Sequence, residues 1–558
     1  MMFRNYFFIK KNQKISDFIE EFEIQKKNKK IGIKISNNKK FEGMISLSDV
    51  GKLKKKNQNL AIDKFINKTP IKIKENELNN DLYQLLQKKL KKNNVKNIGQ
   101  VILVDKKNTF LNLLDYKSLF NDYEYKNVCV IGLGHIGLPL IVHLLKSFKK
   151  IKGFDKDIKK INNLKKLKFE FYEKNLNINL KNSLENNKIE ISRNIKDSIA
   201  EVYIICLGSD LVGDKIDNKK LIDAAKNLGK VLKKYDLVIL RGTVPVGASR
   251  KIFLKTLSKN TKLKCGEEFY FSYLPERIVE GNSLEEFMKI PQLISGYSEN
   301  CLNQIKIFSN KVFDNILSLS SIEEGEIIKL ASNSYRDLNF AFSNELARVA
   351  NSYKLSGSKL IEKANYGYER NNISKPSLGV GGFCLPKDPF LFKKSLNKKF
   401  KGYKLADLSR EINDGTIKFY GKIIIDKLKS IKKDKYKLLI MGLAFKGSPE
   451  TIDTRNSPGI QLANFLKNRK IKIEFLDTMQ NVMQKVFGPK NNYSFCLNHK
   501  KINDYDMIII INNHEYFLNT INNNLKTNKT IHKKFIFDCW NLLDQNNVIN
   551  LNWNYLNL

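Results

Sequence analysis

A glycine-rich turn between an apolar run and a helix-like segment constrains the fold of this chain more than any other feature. In the segment "NVCVIGLGHIGLPLIVHLLKSF", Gly132, Gly134 and Gly137 form the pattern G-x-G-x-x-G. The first glycine allows a tight turn, the second allows close approach to the backbone, and the third packs the helix against the strand. The pattern predicts the first strand, turn and helix of a doubly wound sheet.

An acidic residue at the end of the next strand indicates the ligand. Asp155 closes "IKGFDKD", 18 residues after Gly137, where its carboxylate is placed to accept hydrogen bonds from a ribose diol. The helix that begins near Ile136 directs free N–H groups and a partial positive charge towards phosphates. Asp155 would repel a 2′-phosphate, so we predict NAD as the cofactor rather than NADP. FAD or a non-redox nucleotide is the alternative.

Changes of pattern divide the 558 residues into four parts, as expected because single cores rarely exceed roughly 250 residues. Residues 123–318 alternate strands and helices, residues 319–428 are mainly helical, and residues 429–558 return to alternation. Residues 1–122 contain two passes of helix, strand, strand and helix. We therefore predict an α/β protein. Two Rossmann-like doubly wound domains are joined by a central helical region and preceded by a smaller α+β pair.

The two N-terminal passes resemble a pair of CBS modules. The first contains "KIGIKIS" and "FEGMISLSDV", and the second contains "IGQVILVD" and "TFLNLLDYKSLF". The resemblance implies an adenine-nucleotide site with Ser46 and Asp49 near the ribose. A structural or dimerising pair that binds nothing is the alternative, because "LNLLD" in the second copy lacks the Ser or Thr.

The charge and the cysteine usage exclude several classes of protein. The net charge of +42 comes from lysines spread along the whole chain, with no basic tail or arginine-rich stretch, so we predict no nucleic-acid partner. The seven cysteines include no C-x-x-C pair, and none of the five histidines has metal-ligand spacing. We expect a cytoplasmic protein without structural disulfides or metal. No uninterrupted apolar run of about 18 residues is present, so we expect no membrane span.

A cysteine in "GVGGFCLPKDPF" has surroundings that a structural cysteine does not need. Cys384 follows Gly381 and Gly382, and Asp388 comes four residues later. A cysteine close to a cation becomes a better nucleophile because its thiolate is favoured. A small core residue is the alternative for a lone cysteine.

Two other stretches carry residue types used in catalysis. Lys329 and Asn333 are four residues apart in a long predicted helix, so they share a face and together suit an alkoxide or oxyanion. Glu276 and Glu280 in "YLPERIVEG" are carboxylates suited to positioning or activating water. A solvated lysine and a surface loop are the alternatives.

In their order along the chain, these motifs resemble the UDP-glucose/GDP-mannose dehydrogenase family of nucleotide-sugar 6-dehydrogenases. The resemblance covers about residues 126–558. It rests on "GLGHIGLP", "GTVPVG", "LPERIVEG", "KLASNSYRDLNFAFSNE", "GVGGFCLPKDP" and "GLAFKGSPETIDTRNSP". It implies an NAD-dependent enzyme that oxidises one alcohol carbon, C6, twice without releasing the aldehyde.

The resemblance implies a role for each residue that matches a catalytic motif. Cys384 would add to the aldehyde to give a thiohemiacetal, and a second oxidation would leave a thioester that water hydrolyses. Lys329 and Asn333 would stabilise the oxyanions. Asp388 would assist proton transfer and water.

The remaining implied roles concern water, cofactor and substrate. Glu276 corresponds to the acid that helps in the thioester steps, and Thr243 lies in its water-holding turn. Arg370 in "YERN" corresponds to the arginine that contacts the sugar nucleotide across a dimer. The implied cofactor contacts are Gly132, Gly134, Ile136, Gly137, Asp155, Thr243, Glu280 and Arg455. The implied substrate contacts are Glu276, Arg277, Lys329, Asn333, Arg336, Asp337, Asn339, Arg370, Gly381 and Lys446.

The stretch "NSYRDLNFAFSNE" resembles the branch of the family that acts on UDP-N-acetylhexosamines, notably UDP-N-acetylmannosamine. In that branch Arg336, Asp337 and Asn339 would line the sugar side. The resemblance implies a homodimer or larger homo-oligomer that makes surface polysaccharide precursors. UDP-glucose and GDP-mannose are the alternative substrates, and an inactive nucleotide-sensing protein is the alternative function.

Three features depart from the family pattern. Residues 208–210 have Gly-Ser-Asp where the family often has Thr-Pro, residues 242–243 are Gly-Thr instead of Ser-Thr, and residues 446–455 form a longer stretch than usual. The N-terminal pair also lies outside the family's usual architecture. We expect the first three departures to alter details of the cofactor pocket.

Overall fold

The structure of the chain is a computed structural model, and it describes residues 6–24, 31–46, 49, 60–77, 85–86, 89, 100–115, 125–168, 171–395, 404–467, 469–481, 483 and 494–558. The chain divides into two units, Met1–Tyr125 and Lys126–Leu558. In the described ranges, no helix is long and apolar enough to cross a membrane.

The first unit contains the same small sheet twice. In each copy, the first strand pairs in parallel with the second, and the second pairs antiparallel with the third. The first copy has strands β1 (Tyr6–Phe8), β2 (Ile31–Ile35) and β3 (Phe41–Ser46), with helix α1 (Ile15–Ile24) between β1 and β2. The second copy has strands β4 (Lys72–Lys74), β5 (Gln100–Val104) and β6 (Phe110–Asp115).

The two copies exchange equivalent hydrogen bonds through their hairpin turns. Phe41 N donates to Asn108 O at 3.1 Å, and Phe110 N donates to Lys39 O at 3.0 Å. The rings of Phe41 and Phe110 stack with centroids 6.3 Å apart. The assignment to CBS modules stays a prediction, and the helices predicted after "GMISLSD" and in "NNDLYQLLQKKL" lie largely outside the described residues.

The second unit begins with a large sheet whose strands are short, apolar and buried. Apolar strands of this kind suit a sheet covered by helices on both faces. The strands are β7 (Val128–Ile131), β8 (Ile151–Phe154), β9 (Ile189–Ser192), β10 (Val202–Ile205), β13 (Leu237–Leu240), β14 (Tyr270–Tyr273), β15 (Gln292–Gly296) and β16 (Ile316–Ser318), while β11 (Asp210–Val212) and β12 (Lys215–Asp217) form a separate hairpin. The helices are α2 (Gly137–Leu144), α3 (Ile158–Lys165), α4 (Leu176–Glu185), α5 (Lys219–Gly229), α6 (Lys255–Asn260), α7 (Ser283–Lys289) and α8 (Glu299–Val312).

The strand order of this sheet creates a crevice. The order is β16-β15-β14-β13-β10-β7-β8-β9, and neighbours are parallel except β14 and β15. The chain leaves β7 towards β8 on one side and later returns to β10 on the other. Ligands of such sheets bind beyond the carboxyl ends of the strands at this reversal point.

The central part of the second unit is helical. Its longest helix, α9 (Ile322–Ser352), begins at Ser321, whose side chain accepts a hydrogen bond from Glu324 N. Such a cap satisfies an N–H group that the helix itself leaves free. The other helices are α10 (Gly357–Asn365), α11 (Asp388–Lys394) and α12 (Leu405–Lys429).

The C-terminal part is a five-stranded parallel sheet with the order β18-β17-β19-β20-β21. Its strands are β17 (Tyr436–Met441), β18 (Ile471–Leu476), β19 (Met507–Ile510), β20 (Phe535–Asp538) and β21 (Asn554–Asn557), and its helices are α13 (Pro458–Leu466), α14 (Glu515–Asn524) and α15 (Gln545–Asn550). The fold is thus mixed α/β with two Rossmann-like sheets and a helical connection, as the sequence predicts.

Each of the two large sheets has a helix glycine packed closely against the turn that follows its first strand. A Cβ atom at Gly459 would lie 2.4 Å from Gly442 O, and one at Gly137 would lie 2.0 Å from Gly132 O. The acid after the second strand is also repeated, but Asp477 Oδ2 accepts from both Leu443 N and Ala444 N. In both turns the second carboxylate oxygen accepts from the backbone N–H two residues on, Asp157 N for Asp155 and Met479 N for Asp477.

Candidate active site

The glycine turn of β7 and α2 opens onto a cavity. Gly132 has a φ of +95°, which favours glycine. A Cβ atom at Gly134 would meet nothing within 4 Å, so a ligand has room to approach this backbone. The cavity has a volume of about 960 Å³ and is lined by Gly132, Gly134, Ile136, Cys206, Gly208, Asp210, Thr243, Glu280, Phe383, Cys384, Lys387 and Arg455, among others. The turn and the volume fit a dinucleotide.

Asp155 is buried at the end of β8 and faces the glycine turn. Its Oδ2 accepts hydrogen bonds from Leu133 N at 3.0 Å and from Lys160 Nζ at 2.9 Å. Lys160 lines the cavity, and the sequence analysis did not single it out. Its ammonium partly offsets the repulsion between Asp155 and a 2′-phosphate, which is the repulsion that favours NAD over NADP.

The glycines before Cys384 serve protein packing. A Cβ atom at Gly381 would lie 2.5 Å from Asn456 O, and one at Gly382 would lie 2.9 Å from the Phe445 ring. Gly382 N also donates to Arg455 O at 2.8 Å. These glycines therefore admit the C-terminal part of the chain against the cysteine loop.

Cys384 lies on the cavity wall as a free cysteine. Burial raises the pKa of its thiol, and the neighbouring Asp388 charge raises it further, while Lys329, Lys387 and Arg455 act in the opposite direction. The nearby cations act in the direction that favours the thiolate, but burial outweighs them. The thiol needs a proton acceptor when it reacts.

Asn333 and Asp388 are joined across α9 and α11. Asn333 Nδ2 donates to Asp388 Oδ2 at 2.6 Å, and Lys387 Nζ lies 2.9 Å from Asp388 Oδ1. Lys329 is buried one turn before Asn333 on the same helix, and its charge acts on Cys384. The structure thus brings a cation, an amide and a carboxylate together beside the thiol.

Glu276 is buried and is held by Arg241. Arg241 Nε donates to Glu276 Oε2 at 2.6 Å, and the other carboxylate oxygen accepts from Arg277 N at 2.7 Å. Glu276 acts electrostatically on Cys206, a residue of the cavity wall. Arg277 therefore contacts this carboxylate through its backbone N–H.

Two departures from the family pattern fit each other. A Cβ atom at Gly208 would lie 2.5 Å from Thr243 O, and one at Gly242 would lie 1.8 Å from Leu207 O. Ser209 N donates to Thr243 O at 2.9 Å. Glycine at both positions therefore lets the two loops pack directly against each other while Thr243 stays on the cavity wall.

The stretch from Lys446 to Arg455 folds over the Glu280 turn. Lys446 Nζ donates to Glu280 O at 2.6 Å, and Thr451 Oγ1 donates to Glu280 Oε1 at 2.7 Å. Burial raises the pKa of Glu280 and lowers the pKa of Lys446. Arg455 pairs with Asp453 at 2.7 Å and reaches the cavity. The third departure therefore closes one side of the cavity.

The residues predicted on the sugar side do not share one environment. Asp337 is fully buried and pairs with Arg410 of α12 at 2.9 Å, so the structure assigns its side chain to helix packing rather than to the pocket. Asn339 Nδ2 donates to Asn372 O at 2.7 Å and orders that loop. Arg336 is exposed. Burial is the main cause of the lowered pKa of Lys446, and the charge of Arg336 lowers it further. Arg370 is exposed and stacks on Tyr368 at 4.6 Å.

Besides Lys160, sequence reasoning missed three charged residues that shape the site. Lys387 is buried, lines the cavity and donates to Ser209 O at 3.1 Å. Glu326 is fully buried and accepts from Gly247 N at 2.5 Å and Ser249 N at 2.9 Å, which ties the Thr243 loop to α9. Arg241 is the third. A charged residue directly after an apolar strand, as in "LVILRG", was the available signal.

A dinucleotide-type glycine turn and a cysteine, ammonium and carboxylate on one cavity define an NAD-dependent oxidoreductase. The family models agree. The family described as "UDP-glucose/GDP-mannose dehydrogenase family" matches with its NAD binding domain at residues 126–313, its central domain at residues 323–415 and its UDP binding domain at residues 439–545. The chain belongs to this family of nucleotide-sugar dehydrogenases.

Similar proteins carry a more specific name. The UDP-N-acetyl-D-mannosamine dehydrogenase of Methanocaldococcus jannaschii is 30% identical over 427 residues, which is 75% of this chain and 93% of that protein. The enzyme of the same name from Pyrococcus horikoshii is 29% identical over 421 residues, which is 75% of this chain and 96% of that protein. A structure of UDP-D-ManNAc dehydrogenase from Pyrococcus horikoshii has a TM-score of 0.67 and 27% identity, covering 77% of this chain and 98% of the other.

Proposed function

We propose that this chain oxidises C6 of UDP-N-acetylmannosamine twice, from alcohol to carboxylate, through a covalent adduct on Cys384. The proposal includes a cytoplasmic role in making surface polysaccharide precursors. One observation carries the covalent step: Cys384 lies on the wall of the cavity that also contains the glycine turn, with Lys329 and Asp388 beside it. The names of the relatives support the choice of sugar.

The residues of the chain account for the first oxidation and the covalent addition. Lys329 and the free N–H of Asn333 bind the C6 oxygen and stabilise its negative charge. Bound NAD supplies the hydride acceptor in both oxidations. The Cys384 sulfur adds to the aldehyde as its proton passes towards Asp388, since the thiol is the stable form in the buried site. The adduct keeps the aldehyde from leaving.

The second half of the reaction is a hydrolysis. Oxidation of the adduct leaves a thioester on Cys384, and a water held near Thr243 and Glu276 attacks C6. Lys329 and Asn333 again stabilise the oxyanion that forms in this attack. The sulfur then leaves. The product carries a negative charge at C6, and repulsion from the buried Asp388 weakens binding of the product.

A substrate panel tests the choice of sugar. The values of kcat/KM should be highest for UDP-N-acetylmannosamine among UDP-N-acetylglucosamine, UDP-glucose and GDP-mannose, with two NADH formed per sugar oxidised. A higher kcat/KM for UDP-glucose or GDP-mannose would identify that compound as the substrate and would leave the proposed reaction mechanism unchanged. Turnover of none of these would favour the nucleotide-sensing alternative.

We also propose that the enzyme is a homodimer or larger homo-oligomer joined through α9. Exposed apolar residues recur along this helix at Ile327, Tyr335, Phe342 and Val349, and such patches mark interaction surfaces. Arg370 would then reach the partner's sugar nucleotide. Light scattering should give at least twice the chain mass, and Phe342→Glu should yield monomers with a raised KM for the sugar nucleotide.

The proposed adenine-nucleotide site in the N-terminal unit is tested separately. Ser46 Oγ donates to Asp49 Oδ2 at 2.6 Å, so a ribose has to bind beside this pair or replace it. Titration of ATP or AMP into the full chain should change the rate of NADH formation in the wild type and not in Asp49→Ala. No binding to the wild type would support a purely structural pair.

A further inference from the structure

A buried arginine at the edge of the site holds one of the carboxylates that the proposed chemistry uses. Arg241 follows β13 directly, and Glu276 comes three residues after β14. Because β13 and β14 are adjacent and parallel, their carboxyl ends bring the two side chains together. The Arg241 side chain is 1% exposed and that of Glu276 is 4% exposed.

The contacts leave the Glu276 carboxylate little freedom. Arg241 Nε lies 2.6 Å from Oε2, and Nη2 lies 2.5 Å from the same atom. Oε1 accepts from Arg277 N at 2.7 Å and from Ile278 N at 2.9 Å. Two donors thus act on each oxygen, which sets both the position and the orientation of the carboxylate.

Arg241 is itself fixed by contacts that involve no substrate. Nη2 donates to Gln292 Oε1 at 3.2 Å, and the guanidinium carbon lies 5.4 Å and 5.7 Å from the ring centroids of Phe287 and Phe313. Aromatic faces attract a guanidinium. The arginine therefore carries its charge to Glu276 from a preformed position.

We infer that Arg241 is a positioning residue for thioester hydrolysis, fixing the Glu276 carboxylate where it orients the attacking water. The inference rests on the proposed function. In the step, the water oxygen bonds to C6 while one water O–H bond breaks and its proton passes to Glu276. The C6–S bond then breaks, and the Cys384 sulfur leaves with the bonding electron pair as a thiolate that is later reprotonated. No oxidant is consumed.

The alternative is that the pair only stabilises the fold, because a buried charge without its partner is costly. The chain offers a matched control. Arg410 and Asp337 form a second buried pair at 2.9 Å between α12 and α9, with side chains 7% and 0% exposed, whereas Arg241 and Glu276 both act electrostatically on Cys206 of the cavity wall. Loss of Arg410 should destabilise the protein as loss of Arg241 does, without affecting hydrolysis selectively.

The test follows NADH formation in the first turnover and the mass of the intact full-length enzyme after rapid quenching. Arg241→Met and Glu276→Gln should each form two NADH per site quickly, then turn over at least about 100-fold more slowly than the wild type. Both should accumulate the sugar-nucleotide acyl group on Cys384. The double variant should be no slower than the slower single variant, because coupled residues are not additive.

Arg241→Lys keeps the test valid if Arg241→Met does not fold. Lysine retains the positive charge but cannot make the two contacts that the guanidinium makes with Glu276 Oε2. This variant should therefore accumulate the adduct to an intermediate level and hydrolyse it faster than Arg241→Met. Arg410→Met should melt at a lower temperature and accumulate no adduct.

The outcomes separate the inference from the proposed function. A wild-type enzyme that forms neither the adduct nor two NADH removes the proposed function and the inference together. If the wild type forms both, the inference alone is overturned by either of two results. One is hydrolysis at the wild-type rate in Arg241→Lys and Arg241→Met, and the other is lost activity in Arg241→Met without accumulated adduct.

Discussion

Replacing Lys329 by methionine should nearly abolish oxidation without destabilising the fold. Lys329 is 8% exposed, and its charge acts on the Cys384 thiol. In the part of the chain that the structure describes, its ammonium has no ion-pair or hydrogen-bond partner. A buried ammonium without a partner is available to an oxyanion that appears during the reaction.

The size of the effect follows from this burial. An ammonium about 4 Å from an oxyanion contributes about 4 kcal/mol at an effective dielectric constant of about 20, which corresponds to about a thousand-fold in rate. The remaining exposure admits some screening, so we expect a loss between about 100- and 1,000-fold in kcat. The free energy of unfolding should not fall, because methionine fills the space and removes an unpaired buried charge.

Initial rates of NADH formation at saturating sugar nucleotide and thermal melting curves measure the two effects on the same samples. Lys359→Met is the matched control, since Lys359 lies on the surface and its Nζ donates to Gln545 Oε1 at 3.3 Å. This control should keep the wild-type rate. A role for Lys329 at the oxyanion is excluded if Lys329→Met keeps more than about a tenth of the rate, or if the rate falls only together with the melting temperature.

Three further predictions concern other parts of the site. Gly137→Ala should lower the melting temperature sharply, because its Cβ atom would lie 2.0 Å from Gly132 O. Gly134→Ala, whose Cβ atom would meet nothing within 4 Å, should keep the wild-type melting temperature and raise the KM for NAD. Equal melting temperatures for the two variants would contradict this prediction. Because burial raises the pKa of Cys384, its alkylation should still accelerate above pH about 8.5, and a plateau below that pH would contradict the raised pKa. Asp337→Asn should lower the free energy of unfolding by about 3–5 kcal/mol and leave the KM for the sugar nucleotide unchanged. A raised KM would indicate that Asp337 contacts the substrate.

The glycine turn was predictable because its constraints are local. Gly132 needs a left-handed φ and Gly137 needs to touch the Gly132 carbonyl, so the sequence pattern itself carries the geometry. The alternation of apolar strands and amphipathic helices predicted both Rossmann-like sheets for the same reason. The repeat in the N-terminal unit was visible in its strands, while its ligand depends on details that strand patterns do not carry.

The chemistry of the site was less predictable because it depends on contacts between distant segments. The sequence places Gly381 next to a cysteine, but only the fold shows that Asn456 occupies the space beside it. Spacing on α9 places Asp337 near Asn333, but Arg410 of α12 draws the carboxylate into the helix packing. The pKa of Cys384 is a balance of burial against charges from three separate stretches, and no local pattern contains that balance.

Uronate formation by Cys384→Ala shows whether the reaction passes through a covalent adduct on sulfur. The variant removes the sulfur and leaves Lys329, Asn333 and Asp388 in place, so NAD and the sugar nucleotide should still bind. The wild type should form two NADH per uronate, while the variant should form no uronate at a measurable fraction of that rate. Uronate formation by Cys384→Ala at the wild-type rate would contradict the covalent mechanism.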